Sequence, residues 1–289
     1  MVSSRRIVLK PWRVAAYGLI LIWCVVVYFP LYWCVITSLK TPLALMASIA
    51  YFPWIDFQPT LDSWRSMLLG TDAPQVYLSF TNGAIVSLSS AAVAMFLGGM
   101  AGYGLTRFTY RFGSWRNNDI AFWFVSQRIM PPIAVVLAFL ILYRYLGLVD
   151  TRFGLALAYT GFNLPLAVWI LRDFFAEIPK ELEESALLDA ASWLRAFWSI
   201  AFPLALPGLV AVFILCFIFT WNEYLFALIL TFQRAGTVPL LLASQVTATG
   251  VQYWRMAVLA VLSIVPSVIC AVVLERYIVS GLFSGGVKA

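Results

Sequence analysis

Six predominantly apolar runs alternate with polar loops along the chain, at about 14–36, 82–105, 119–145, 153–171, 206–230 and 254–274. Each suffices to carry a helix across about 30 Å of hydrocarbon at about 1.5 Å per residue. The pattern predicts an all-α membrane protein of six transmembrane helices in one domain spanning 1–289. Arg5, Arg6, Lys10 and Arg13 precede the first run, whose core is longer than a signal peptide's and lacks a small-residue cleavage site, so it is expected to remain as a span. The polar stretch 40–80 contains Thr60 followed by Leu61, Trp64 and Leu68, which predicts a short amphipathic helix at the outer interface. In the second run Ser90, Ala94, Gly98 and Gly102 recur at every fourth position, a stripe that lets two helix backbones approach closely in lipid.

Composition strengthens this picture and narrows the chemistry. The chain is 63% hydrophobic and only 11% charged, well below the charged quarter typical of soluble domains. No length remains for a separate soluble domain. There is no His, and Cys24, Cys34, Cys216 and Cys270 each lie in an apolar run without CxxC spacing, so neither metal nor redox chemistry is indicated. With six spans, both termini share a side with the loops after spans two and four. That side carries twice the Lys and Arg of the other and is therefore expected to be cytoplasmic. The net charge of +6 then reflects orientation in a membrane and gives no reason to expect nucleic acid.

The charged stretch 178–205 between spans four and five departs most from the apolar background. Pro179 suits a helix start, and Glu181, Glu183 and Glu184 suit the positive end of its dipole. Leu182, Ala186, Ala190 and Trp193 predict an apolar stripe beside an acidic face, with a turn at Ser192 capping a second helix from Trp193. Helices that lie on bilayers favour a basic polar face, so the acidic one predicts a protein partner.

Glu184-Ser185-Ala186, then Ala190, then Ile200-Ala201-Phe202-Pro203 resembles the EAA loop of ABC-importer inner-membrane permeases. Ser185, Ala190 and Phe202 stand where that pattern has Ala, Gly and Leu. The likeness extends to YFPLYWCVITSLK at 28–40, AGYGLTRF at 101–108, the segment 159–192, TWNEYLFAL at 220–228 and the closing GLFSGGVKA, and is to the carbohydrate branch similar to the smaller maltose permease. The resemblance implies a coupling helix in which Glu183, Glu184, Ser185, Ala186, Leu188, Asp189 and Ala190 dock onto a cytoplasmic ATPase subunit. It also implies that the tail residues Gly285, Gly286, Val287 and Lys288 reach the ATPase pair. The implied partners are a second permease in a heterodimer, two ATP-binding cassette subunits, an extracytoplasmic solute-binding protein, a sugar and membrane lipid. The implied location is the bacterial inner membrane. The chain has no GxxxxGK[ST], so ATP and Mg would be bound by partners; it is expected to be neither an enzyme nor a cofactor protein.

Candidates for the translocation path come from polar residues inside spans. Gln127-Arg128 stands just before Met130-Pro131-Pro132, whose prolines supply no N–H to the carbonyls of Gln127 and Arg128. An Arg at mid-membrane costs about 2.5–3.5 kcal/mol and must face a cavity or a partner. Substrate contact is one role for Arg128; pairing with Glu223 or with a carboxylate of the other permease carries equal weight. Asn163, before Pro165, and Asn222-Glu223 rank second. Trp123, Trp169 and Trp221 are assigned to packing. The alternative function is an ion-gradient-driven transporter or channel, for which Glu223 as the single mid-span acid, with no His, offers too little for a proton relay.

Overall fold

The expected spans are helical, but two of them are broken. The computed structural model describes residues 11–47, 50–188, 192–248 and 250–285. In chain order its elements are α1 (Pro11–Ser38), α2 (Pro42–Ala47), α3 (Asp62–Leu69), α4 (Ala73–Arg107), a hairpin of β1 (Arg111–Phe112) and β2 (Trp115–Arg116), α5 (Asn117–Ile129), α6 (Pro132–Leu146), α7 (Arg152–Glu177) and α8 (Lys180–Leu188). There follow α9 (Trp193–Ala196), a π-helical turn (Phe197–Ala201), α10 (Phe202–Leu204), α11 (Leu206–Trp221), α12 (Leu225–Leu230), α13 (Val238–Ala243), a hairpin of β3 (Val246–Thr247) and β4 (Gly250–Val251), and α14 (Tyr253–Gly285). Among the described residues four helices, α1, α4, α7 and α14, are long and apolar enough to cross a membrane, or up to six if each of two bent pairs counts as one span.

Those bends correct two expected spans. The third is no continuous helix: α5 and α6 meet at 90°, with Met130 and Pro131 extended between them. Two consecutive prolines remove two N–H donors, and each disfavours helical backbone in the residue before it. The expected fifth span, 206–230, is interrupted after Trp221 and resumes at Leu225. Upstream, the segment Trp193–Leu204 meets α11 at 75°.

The chain forms two compact units. The first comprises Met1–Ala73 and Gln245–Leu262. Its buried centre beyond α1 is Lys40, whose Nζ donates to the Ala50 carbonyl at 2.6 Å and sits 4.7 Å and 4.9 Å from the ring centroids of Trp33 and Phe57. Burial lowers the Lys40 pKa, against a smaller raising effect of Asp56. The amphipathic helix expected after Thr60 forms as α3, but it buries Ser63 and Met67, and Leu61 is its exposed N-cap. The indole of Trp64 fixes that rotation by donating to the Ser38 hydroxyl.

The second unit comprises Pro74–Ser244 and Ser263–Ala289. Its small-residue stripe is a helix contact, as expected. Ser90 and Ala94 are fully buried, and a Cβ on Gly98 would come within 2.5 Å of the Ala167 Cβ, one on Gly102 within 2.8 Å of the Arg172 nitrogen. Thus α4 and α7 pack backbone to backbone. At the opposite end of α7 from α8, Asp150 in left-handed backbone (φ 56°) accepts the backbone N–H groups of Phe232, Gln233, Arg234 and Ala235 at 3.0–3.1 Å. Asn82 of α4, fully buried, donates to the carbonyls of Arg234 and Gly236 and accepts from Arg152 Nε at 2.7 Å. Two side chains thus satisfy a loop that has no secondary structure of its own.

Two outcomes follow. Gly98→Leu or Gly102→Leu is expected to cost about 1–3 kcal/mol by forcing α4 and α7 apart, seen as a lower unfolding temperature in detergent. Gly161→Ala, on α7 with nothing within 4 Å of an added Cβ, should leave that temperature unchanged. For Asp150, burial pushes the carboxyl pKa up, but the four N–H donors outweigh it and hold the net value below the ordinary carboxylate range. Its stabilisation is therefore complete above the unfolded value of about 3.9 and is lost as pH falls through the folded value. Asp150→Asn should unfold earlier than the parent at pH 7, with the gap closing on acidification; a gap independent of pH would refute this assignment.

Candidate coupling surface and translocation path

An ion pair, not an apolar stripe, sets the orientation of α8. Glu183 is 1% exposed. Its Oε1 accepts from Arg107 at 2.8 Å (Nε) and 2.7 Å (Nη2), and its Oε2 accepts the Tyr103 hydroxyl proton at 2.6 Å. Arg107 Nη2 also donates to the Ile178 carbonyl at 2.9 Å, at the junction of α7 and α8. Tyr103 and Arg107 are one helical turn apart at the end of α4. The Tyr103 ring packs against Phe108, Phe175 and Phe197, so the end of α7 and the π-helical turn close over the same point.

This pair turns the expected stripe outward. Leu182 is 47% exposed and Trp193 43%, so the apolar stripe does not pack into the protein along its length. Among the exposed residues of α8, Glu181, Glu184, Ser185 and Leu188 are spaced as one face of a helix, with Leu182 exposed beside them. Leu188 is 89% exposed. Of the residues expected to dock, Glu184, Ser185 and Leu188 therefore stand on that face, Ala186 is half-buried, and Glu183 points into the protein. Asp189 and Ala190 lie outside the described residues, as do Gly286, Val287 and Lys288 of the tail; Gly285 closes α14. The turn at Ser192 forms as expected, its hydroxyl accepting the Arg195 N–H at 3.3 Å to start α9.

The polar residues inside spans divide into those engaged within the chain and those left open. Glu223 does not pair with Arg128. Its carboxylate accepts the Tyr159 hydroxyl proton at 2.7 Å and the backbone N–H groups of Leu225 and Phe226 at 2.9–3.1 Å, which starts α12 and accounts for the break after Trp221. Asn163 is buried and donates to Thr220 Oγ1 at 2.9 Å, while its own Oδ1 has no partner among the described residues. Arg128 ends α5 with its guanidinium 4.8 Å from the Phe219 ring centroid and 5.4 Å from that of Phe162, and Nη1 donates weakly, at 3.4 Å, to the Phe162 carbonyl. Stacking between two aromatic faces leaves most N–H groups of its fork open. Gln127 and Asn222 are exposed: the Gln127 amide makes only long contacts, at 3.5 Å, within α5, and that of Asn222 donates to Ile218 O at 2.8 Å. The structure thus brings Arg128 beside Asn163 through Phe162, joins Tyr159 to Glu223, and gives Gln127 no share in either group.

Comparison with known proteins completes the assignment. A match to the family described as binding-protein-dependent transport system inner membrane component covers residues 94–283. The chain is 32% identical to the probable ABC transporter permease protein y4oR of Sinorhizobium fredii, over 93% of this chain and 94% of that one. It is 34% identical to the trehalose transport system permease protein SugB of Mycobacterium tuberculosis, over 89% and 97% of the two chains. The trehalose/maltose transport system permease protein MalG of Thermococcus litoralis is 29% identical, over 91% and 92%. Among solved structures, a bacterial ABC transporter involved in the import of the acidic polysaccharide alginate has the same fold, with a TM-score of 0.74 at 20% identity over 92% of this chain and 96% of that one. The chain belongs to the family of inner membrane components of binding-protein-dependent transport systems.

Proposed function

We propose that the chain is a permease subunit of an ATP-driven importer of a carbohydrate, whether oligosaccharide, monosaccharide or polyol. It forms the translocation path with a second permease and is coupled through α8 to two ATPase subunits, with an extracytoplasmic solute-binding protein delivering substrate. Both termini and α8 face the cytoplasm of a bacterial inner membrane. The substrate class is supported by relatives whose names specify trehalose, maltose, diacetylchitobiose and sulfoquinovosyl glycerol. The coupling role is carried by one observation: α8 is held rigidly on its inner side by Glu183 and presents Glu181, Glu184, Ser185 and Leu188 outward, where Glu181 and Glu184 form no ion pair among the described residues and the Ser185 hydroxyl donates only to its own helix. A face of two acids, a hydroxyl and an exposed Leu suits a cleft with a basic rim. The tail residues 285–288 are proposed to add a second contact to the ATPase pair.

In the path, Arg128 and Gln127 are the residues proposed to meet substrate, since their polar atoms are not fully engaged in the chain. Asn163 has one open acceptor, Asn222 lies at the exposed end of α11, and Glu223 acts by shaping the break before α12. The ion-driven alternative would depend on Glu223, whose carboxylate is engaged by a hydroxyl and two backbone N–H groups.

The test separates the two faces of α8. In proteoliposomes holding the assembled importer, Glu184→Lys should lower transport and transport-coupled ATP hydrolysis about tenfold or more, the worth of one charge-assisted hydrogen bond. Parental values for both would end the docking assignment. Arg107→Met acts elsewhere: it strands a buried carboxylate at a cost of about 3–5 kcal/mol, and the complex should lose thermal stability. Adding Glu183→Leu should restore much of that stability, because the buried charge is then removed with its partner.

A further inference from the structure

The hairpin joining α4 to α5 opposes Arg111 directly to Arg116, and Phe112 to Trp115. Directly opposed residues have Cβ atoms about 4.5–5.5 Å apart, and like charges so placed repel. Neither forms an ion pair among the described residues, where the pairs are Arg107–Glu183 and Arg255–Asp72. Asp119, the nearest acid along the chain, accepts the backbone N–H of Arg116 at 2.8 Å. Gly113, at φ 61°, turns the tip and leaves Phe112 82% exposed. Because α4 and α5 both lead into the membrane, the hairpin lies at a membrane–water boundary whichever way the chain is oriented, the depth at which Trp anchors. A groove of about 420 Å³ continues from it along one face of α5, lined by Ser114, Trp115, Asp119, Phe122, Trp123 and Ser126. Arg172 adds a third cation at this end, held by its donation to Asn118 at 2.6 Å.

We propose that the hairpin and groove bind an anionic phospholipid, its phosphate between Arg111 and Arg116 and one acyl chain along Phe122 and Trp123. Charge selects the head group: two arginines opposed across the hairpin, with the Asp119 carboxylate of the groove engaged by the Arg116 backbone N–H, suit a phosphate's oxygens. The aromatic wall begins at head-group depth and follows a helix into the hydrocarbon, the path of an acyl chain. Bound lipid removes the repulsion across the hairpin and fixes the junction of α4 and α5, the former carrying Arg107 one turn away.

The assembled importer, reconstituted in equal parts of phosphatidylcholine and phosphatidylglycerol and re-extracted, can be examined by native mass spectrometry. The parent should retain phosphatidylglycerol in preference to phosphatidylcholine and release it first as salt rises. Arg111→Gln with Arg116→Gln should retain about 25-fold less phosphatidylglycerol, about fivefold for each cation. A parent without the preference, or one losing both lipids equally with salt, overturns the proposal even if the double variant does not assemble. So does a variant that keeps its phosphatidylglycerol but loses its ATPase subunits, which would make the hairpin a protein interface.

Discussion

One carboxylate and one guanidinium, both sealed from solvent, hold α8 to the end of α4. Burying such a pair carries a large desolvation cost, offset only where geometry is good and the remaining lone pairs are occupied. At Glu183 they are: two bonds from Arg107 reach one oxygen and the Tyr103 hydroxyl reaches the other, while on the arginine only Nη1 is left without a partner among the described residues. Partners 76 residues apart in sequence are thereby fixed, and because both Tyr103 and Arg107 stand on the last turn of α4, the rotation of α8 about its own axis is fixed with them. The outward face then follows from helical geometry alone. Glu184 is exposed because Glu183 is not.

This explains what the sequence revealed about α8 and what it concealed. The helix, its start after Pro179 and the Ser192 cap are local properties, set by residues within one or two turns, and each formed as expected. Its orientation is not local. Periodicity marks Leu182 and Trp193 as an apolar stripe but does not say which face is buried, and no single-segment pattern can weigh an arginine on another helix. The segment AGYGLTRF contained the signal: a Tyr and an Arg spaced four apart at the end of an apolar span, with a glutamate in the next polar loop but one. Asp150 was less legible, because its ligands are backbone N–H groups that carry no side-chain identity.

The broken spans follow the same division. Pro131 and Pro132 announced a disturbance in span three, and only the extent of the bend exceeded expectation. Glu223, by contrast, reads in the sequence as a mid-span acid, whereas in the structure it starts a helix. An acid placed two and three residues before a run of Leu, Phe and Ala can accept their free N–H groups, and Tyr159 across the helix pair completes its shell. A carboxyl group away from water needs such partners, so Glu223, just beyond the end of α11 at Trp221, starts α12.

Under the proposed coupling role, motion at α8 has two routes into the rest of the chain. One is covalent, back through Ile178 into α7 and forward through α9 and the π-helical turn to the 75° bend at α11. The other is the Arg107 contact to α4. Because α4 and α7 are packed backbone to backbone at Gly98 and Gly102, with no flexible side chains between them, neither can shift without the other. A lever attached to α7 alone could bend at Pro165; one attached to both helices near their shared end moves the pair as a body. The bends on either side of that pair, between α5 and α6 and before α11, then become the places where movement is taken up. Arg128 lies at the first of them, against Phe162 of α7 and Phe219 of α11, so a rigid displacement of the helix pair changes the surroundings of the cation proposed to meet substrate.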